Sequence, residues 1–324
     1  MIKDNFGRPV LNLRISITQR CNLHCPYCHR EGQEQTATAS AVEMTAAEIA
    51  RLVKIAISLG IGRVKLTGGE PLLRKDVLDI VKSIASLQGL LDLSMTTNGT
   101  LLHHVAKELR DGGLMRVNVS LPTLKDDVYS RLMGGKLREV LAGITAAVEA
   151  GLTPVKLNML ILAGVNEDEI PAMVQFARKS RTLVQLIELE PVNISEAYYA
   201  RYHFSLEKVE ADLMRQAVRV DVREYMQNRR VYQLPDGRVE VIRPIENTEF
   251  CAHCTRLRVT SDGKLKPCLM VNQGLRDVLT PLRTGATDEE LTDLFTEVCK
   301  KREPYYRGPA RRQEREGTVT KAVT

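Results

Sequence analysis

The 324 residues carry 27% charged and 44% hydrophobic side chains with a formal net charge of +6, an ordinary globular composition with room for one large domain or one and a half. The sequence holds neither a run of eighteen apolar residues nor a charged-then-apolar leader, so neither a membrane span nor a signal peptide is expected and the cytoplasm is the expected location. Seven cysteines, odd in number and clustered, argue for reduced, metal-binding thiols over a secreted disulfide framework.

The first predicted element is the apolar run 10–18, a strand that feeds directly into Cys21-Asn-Leu-His-Cys25-Pro-Tyr-Cys28. Three thiols this close can hold three corners of a metal centre and leave one position open, whereas structural zinc sites close all four. Iron–sulfur clusters use cysteine spacings of this kind. Residues 31–40 are polar and aperiodic and read as a loop. Thr45 then caps a helix with Glu48 as its capping-box partner, Ile49, Leu52, Val53 and Ala56 repeat at helical spacing, and Gly60 stops it. The strand 63–67 ends in Gly68-Gly69-Glu70-Pro71. Beyond it, helices at 75–87, 103–110, 137–150, 168–179 and 206–217 alternate with strands at 91–97, 116–121, 154–162 and 183–189.

Strands that alternate with helices pair in parallel through right-handed crossovers. Six such units are too few for a closed eightfold barrel and suit an open doubly wound sheet or an incomplete barrel. Side-chain parity separates the two. One parity carries Arg14, Ser16 and Thr18, then Lys65 and Thr67, then Ser94, Thr96 and Asn98, then Asn118 and Ser120, then Lys156 and Asn158. Alternate residues share a face of a strand, and a closed barrel interior is normally branched and apolar. Polar and cationic groups on that face of strand after strand imply an incomplete barrel whose wet lumen holds something polar.

Past residue 221 the pattern changes. Residues 231–242 read as a hairpin turning at Pro235-Asp236-Gly237, followed by Cys251-Ala-His253-Cys254-Thr-Arg256-Leu257-Arg258, a turn at 261–263, and Cys268. Cys251, Cys254 and Cys268 are a second three-thiol set; a zinc ribbon would need a fourth ligand, for which His253 and Cys299 are candidates. Cys299, on a final helix at 289–301, reads better as a buried structural cysteine. In an extended chain Arg256 and Arg258 point the same way as Cys254, and paired guanidinium forks suit phosphate or carboxylate. The division expected is a barrel over 1–220, an auxiliary and substrate-binding part over 221–306, and a basic, flexible tail over 307–324. With so few aromatics, no nucleic-acid surface is expected.

Cys21-x3-Cys25-x2-Cys28 with Tyr27, joined to Gly68-Gly69-Glu70-Pro71, resembles the radical S-adenosylmethionine superfamily. The segments 13–16, 66–71, 96–99, 117–121 and 250–269 further resemble the GTP 3′,8-cyclases of molybdenum-cofactor biosynthesis, from about Asp4 to about Arg302. The resemblance implies an α/β fold, an incomplete (βα)6 TIM-like barrel with a cysteine-rich C-terminal extension. It implies a [4Fe–4S] cluster on Cys21, Cys25 and Cys28, and S-adenosylmethionine against Tyr27, Gly69 and Ser120, with Gly69 letting the backbone approach the methionine. It implies a second [4Fe–4S] cluster on Cys251, Cys254 and Cys268, with one iron free for guanine. GTP would lie among Arg14, Lys65, Thr96, Lys156, Arg256, Leu257 and Arg258, of which Arg14, Lys65, Arg256 and Arg258 would also serve catalysis. The partners implied are a flavodoxin- or ferredoxin-like reductant and a downstream cyclic pyranopterin monophosphate synthase, with the chain a monomer or homodimer.

Two departures stand out. Lys65 stands where bacterial members commonly carry arginine, and the chain ends Lys321-Ala-Val-Thr324 in place of a Gly-Gly tail, which fits an archaeal-type branch. The rival readings are a radical enzyme that modifies a peptide with the help of an auxiliary cluster, and a non-enzymatic iron–sulfur or zinc protein.

Overall fold

The structure is a computed structural model that describes residues 1–33, 43–235 and 237–307. Most of the loop expected at 31–40, Asp236 of the hairpin turn, and the basic tail beyond Arg307 lie outside the described residues.

The six strands of the alternating series are β1 (Asn12–Ser16), β2 (Arg63–Thr67), β3 (Asp92–Thr97), β4 (Arg116–Ser120), β5 (Lys156–Ile161) and β6 (Leu183–Glu188). They pair in parallel in sequence order. Six more follow: β7 (Arg219–Arg223), β8 (Arg229–Leu234), β9 (Gly237–Ile242), β10 (Arg256–Val259), β11 (Lys264–Lys266) and β12 (Arg276–Asp277). These do not build a sheet of their own. β10 adds in parallel to the outer edge of β1, and β9 adds in parallel to the outer edge of β6. One 12-stranded sheet results, in the order β12-β11-β10-β1-β2-β3-β4-β5-β6-β9-β8-β7.

The two strand parities separate as their chemistry requires. Leu13, Ile15, Val64, Leu66, Leu93, Met95, Val117, Val119, Leu157, Met159, Val184 and Leu186 sit in one apolar core with the buried faces of the helices. Helix Ala46–Ser58 starts on the expected Thr45–Glu48 capping box and buries Ile49, Leu52, Val53, Ile55 and Ala56. The opposite parity faces the lumen. Ser16 and Thr18 are the exceptions: Ser16 Oγ accepts from Gln33 Nε2 (2.9 Å), and Thr18 Oγ1 donates to Glu43.

Several elements depart from expectation. A helix at Asp126–Met133 stands between β4 and the helix at Leu137–Glu149, so this strand is followed by two helices. Its C-cap is Gly134 at φ 74°, a left-handed position that glycine takes without strain. A helix at Glu196–Tyr202 and the edge strand β7 were also unanticipated. Within the expected loop, Arg30–Gly32 form a single 3-10 turn.

Candidate active site

The first cysteine loop is strapped down by the chain leaving β2. Gly69 N donates to Thr18 O (2.8 Å) and Glu70 N to Arg20 O (2.7 Å). A Cβ on Gly68 would lie 2.4 Å from Thr18 O, and one on Gly69 would lie 2.2 Å from Arg20 O. The close approach that demands glycine here is therefore to the protein's own backbone entering Cys21. Gly69 also lines the lumen, so the same residue that packs against Arg20 borders the space expected to receive the methionine. Glu70, fully buried, accepts from Thr97 Oγ1 (2.7 Å), Asn98 N (2.6 Å) and Leu72 N (3.1 Å), and burial pushes its carboxyl up to about 7. Asn98 passes the restraint on, donating through Nδ2 to Asn22 Oδ1 (2.8 Å) inside the loop.

Cys21, Cys25 and Cys28 are free thiols at one wall of the lumen. Burial raises the Cys25 thiol to about 12. Tyr27, between them, donates its hydroxyl to Met133 Sδ (2.7 Å), which also lies 3.3 Å from Cys25 Sγ. Met133 belongs to the helix the sequence did not announce, so this contact was not foreseen.

The lumen gathers Arg14, Lys65, Thr96, Ser120, Lys156, Arg256 and Arg258 around one cavity, together with Asn118, Asn158 and Gln185. Lys65 Nζ donates to Asn118 Oδ1 (2.8 Å), Asn118 Nδ2 to Gln185 Oε1 (2.6 Å), and Gln185 Nε2 to Glu240 Oε2 (2.6 Å). Lys156 is paired with the same Glu240 oxygen at 2.6 Å, and Arg223 and Arg229 approach the other at 3.0 and 3.2 Å. Lys65 has no carboxylate partner among the described residues. Burial first, then Arg116 and Arg14, pushes its pKa well down. Thr96 Oγ1 is buried with no hydrogen-bond partner. Leu257 is the exception: its side chain is 0% exposed in the core, because it has the opposite parity to Arg256 and Arg258. Its side chain therefore does not reach the lumen.

Glu31, three residues past Cys28, joins the two halves of the site. At φ 53° its backbone turns the carboxylate inward. It accepts from Thr67 Oγ1 (3.0 Å), lies 3.4 Å from Arg14 Nη1, and pairs with Arg258. Burial alone would raise this carboxyl; Arg14 and Arg258 overcome that and hold it at about 2. Arg256, one strand position below, forms no ion pair among the described residues. Glu31 was missed in the sequence because a lone acid in a polar stretch carries no periodicity.

The second cysteine set begins on a short helix, Thr248–Ala252, capped by Asn247. Cys251, Cys254 and Cys268 are free and line a second cavity, which shares Glu190, Phe250, Arg256, Arg258 and Leu269 with the lumen. Burial would raise Cys254, but Arg302 and Arg256 beside it hold it below its ordinary value. The two candidates for a fourth ligand are elsewhere. His253 Nδ1 faces Glu249 (3.0 Å), and Cys299 is wholly buried in the core. Among the described residues no three His, Cys, Asp or Glu side chains converge on a single metal ion. Three thiols spread round a cavity suit separate irons of a cluster.

A parallel partial barrel, with a three-thiol loop at its lumen and cations along the inside, defines an enzyme class that works on an anionic substrate beside a metal centre. Residues 15–177 match the radical SAM superfamily, and residues 182–308 match the family Molybdenum Cofactor Synthesis C. The "Probable GTP 3′,8-cyclase" of Thermococcus kodakarensis is 51% identical over 314 residues, 95% of this chain and 100% of that one. The protein of the same name from Methanothermobacter thermautotrophicus is 46% identical over 308 residues, 94% and 99% of the two chains. Among solved structures, Streptococcus suis SuiB bound to precursor peptide SuiA has a TM-score of 0.65 at 19% identity, covering 95% of this chain and 68% of that one, which is a likeness of fold. The chain belongs to the radical SAM superfamily and, within it, to the GTP 3′,8-cyclase family. Membership of the superfamily entails a [4Fe–4S] cluster and S-adenosylmethionine.

Proposed function

We propose that this protein is a GTP 3′,8-cyclase, forming the bond between ribose C3′ and guanine C8 that opens molybdenum-cofactor biosynthesis. The observation that carries the reading is the group of cations lying between two three-thiol loops: Arg14, Lys65, Arg256 and Arg258, of which Arg14 and Arg258 share the carboxylate of Glu31.

The cluster on Cys21, Cys25 and Cys28 supplies, when bound, the one-electron cleavage of S-adenosylmethionine. Tyr27, Gly69 and Ser120 line the lumen beside that loop and form the wall for the cosubstrate. Arg14, Lys65, Arg256 and Arg258 receive the triphosphate; guanidinium forks bind its oxygens bidentately, and a phosphate beside Lys65 offsets the downward push that burial and the neighbouring arginines exert on its pKa. Thr96 offers its partnerless hydroxyl to the nucleotide, and Leu257 its main chain. Lys156, already held by Glu240, contributes charge at the far end of the lumen. Cys251, Cys254 and Cys268 hold a second [4Fe–4S] cluster with one iron open to guanine. Functionally, residues 1–220 generate the radical, 221–306 select the nucleotide, and a small flavodoxin- or ferredoxin-like protein delivers the electron.

The test is anaerobic reconstitution followed by iron analysis and turnover. The expected result is about eight irons per chain and conversion of GTP to a cyclised product only with S-adenosylmethionine and a reductant. Arg256→Ala should lower GTP turnover more than S-adenosylmethionine cleavage. Tightly held zinc without iron, or equal loss of both reactions in the variant, would overturn the reading.

A further inference from the structure

The second cysteine loop is gripped from behind by residues that are far from it in sequence and take no part in the lumen. Asp4 is fully enclosed. Its Oδ2 accepts from Arg8 Nε (2.8 Å) and lies 3.3 Å from Arg302 Nη1. The two arginines then reach the loop from opposite ends of the chain. Arg8 Nη1 donates to the carbonyl of Cys251 (2.7 Å), and Arg302 Nη2 donates to the carbonyl of Cys254 (2.5 Å). Both arginines line the cavity that the three thiols share. Arg302 is only 1% exposed, and its Nε and Nη1 are buried without a hydrogen-bond partner; the approach to Asp4 is an ion pair without hydrogen-bond alignment.

Among the described residues Asp4 is the one carboxylate that these two enclosed guanidiniums contact, and the positive charge they carry beyond it is costly unless a further anion faces it. Backbone N–H groups add to the same field: Tyr306 N lies 3.5 Å from Cys251 Sγ. The side chain of Gln227 donates more weakly towards Cys254 Sγ (3.9 Å).

We infer that Asp4, Arg8 and Arg302 are positioning residues that form the seat of an anionic, thiolate-bound iron–sulfur core on Cys251, Cys254 and Cys268. They fix the carbonyls of two ligand residues and supply the countercharge that the core needs. This rests on the second-cluster reading above. The lumen arginines face the substrate; this pair faces the cluster's back. A cation beside the core favours its reduced form, so removing one lowers the core's potential as well as its retention.

The experiment uses the full chain, reconstituted anaerobically, as wild type, Arg302→Gln, Arg8→Gln and the conservative Arg302→Lys. Iron and acid-labile sulfide are counted after a fixed exposure to a chelator, and the reduced proteins are compared by electron paramagnetic resonance with and without S-adenosylmethionine. Arg302→Gln and Arg8→Gln are expected to lose up to about half their iron, drawn from the second cluster, the two clusters being equal in iron content. They should keep the signal that responds to S-adenosylmethionine, and the residual second cluster should titrate at a lower potential. Arg302→Lys should retain more iron than Arg302→Gln. Full retention in both glutamine variants, or parallel loss of both clusters together with the thermal transition, overturns the proposal. Wild type holding only about four irons would instead remove the second cluster itself, and this seat with it.

Discussion

Glu31 shows how much of the site depends on one side chain. It is the carboxylate that holds Arg14 from β1 and Arg258 from β10, and it sits on the same stretch of chain as Cys28. Replacing it with glutamine leaves two guanidiniums enclosed with less compensation, a loss of about 3 kcal/mol by the usual cost of breaking a buried pair. The expected outcome for Glu31→Gln is a lower melting transition and a fall of about tenfold to a hundredfold in kcat/KM for GTP, or roughly 1.4–2.8 kcal/mol. The pH dependence has a definite sign. The folded carboxyl is held at about 2 against an ordinary 4.5, so its stabilisation is complete above about pH 4.5 and is lost as pH falls towards 2. Denaturation followed between pH 5 and 2 should show this slope in the wild type and a shallower one in Glu31→Gln.

At the level of elements, the alternating strands were legible because the period-two pattern was strong on both faces: apolar residues towards the helices, polar ones towards the lumen. The helix at Asp126–Met133 was not, since it is too short for its buried Val128, Tyr129, Leu132 and Met133 to repeat over more than two turns. Strand β7 escaped notice because its exposed, charged sequence is ordered by pairing with β8. Glu31 escaped because its partner Arg258 is 227 positions away. The Gly68-Gly69 strap was legible as a motif but not as a mechanism, which needed the Thr18 and Arg20 carbonyls in view. It predicts that Gly69→Ala, whose Cβ meets immovable backbone, destabilises the chain by about 3 kcal/mol. Iron bound by the first cysteine set should fall while that of the second persists. Equal retention of both in iron and resonance measurements would show that the strap is not what orders the loop.

For the molecule as a whole, the sheet ignores the boundary that the two matched families draw between residues 177 and 182. Strands from the second half close over both outer edges of the first, β10 on β1 and β9 on β6. A fragment ending at residue 217 would bare both edges, and exposed parallel edges pair with other copies. Such a fragment is expected to aggregate, and a monomeric, folded species in size-exclusion chromatography with native circular dichroism would contradict this.

The pairing of β1 with β10 also has a consequence in time. Asn12 and Thr255, which meet at this seam, are 243 positions apart. At about 5–20 residues per second, the ribosome delivers β10 on the order of ten to fifty seconds after β1. In that interval Glu31 can meet Arg14 and Thr67 but not Arg258, so the lumen's buried charge cluster is completed only when the second half of the polypeptide arrives.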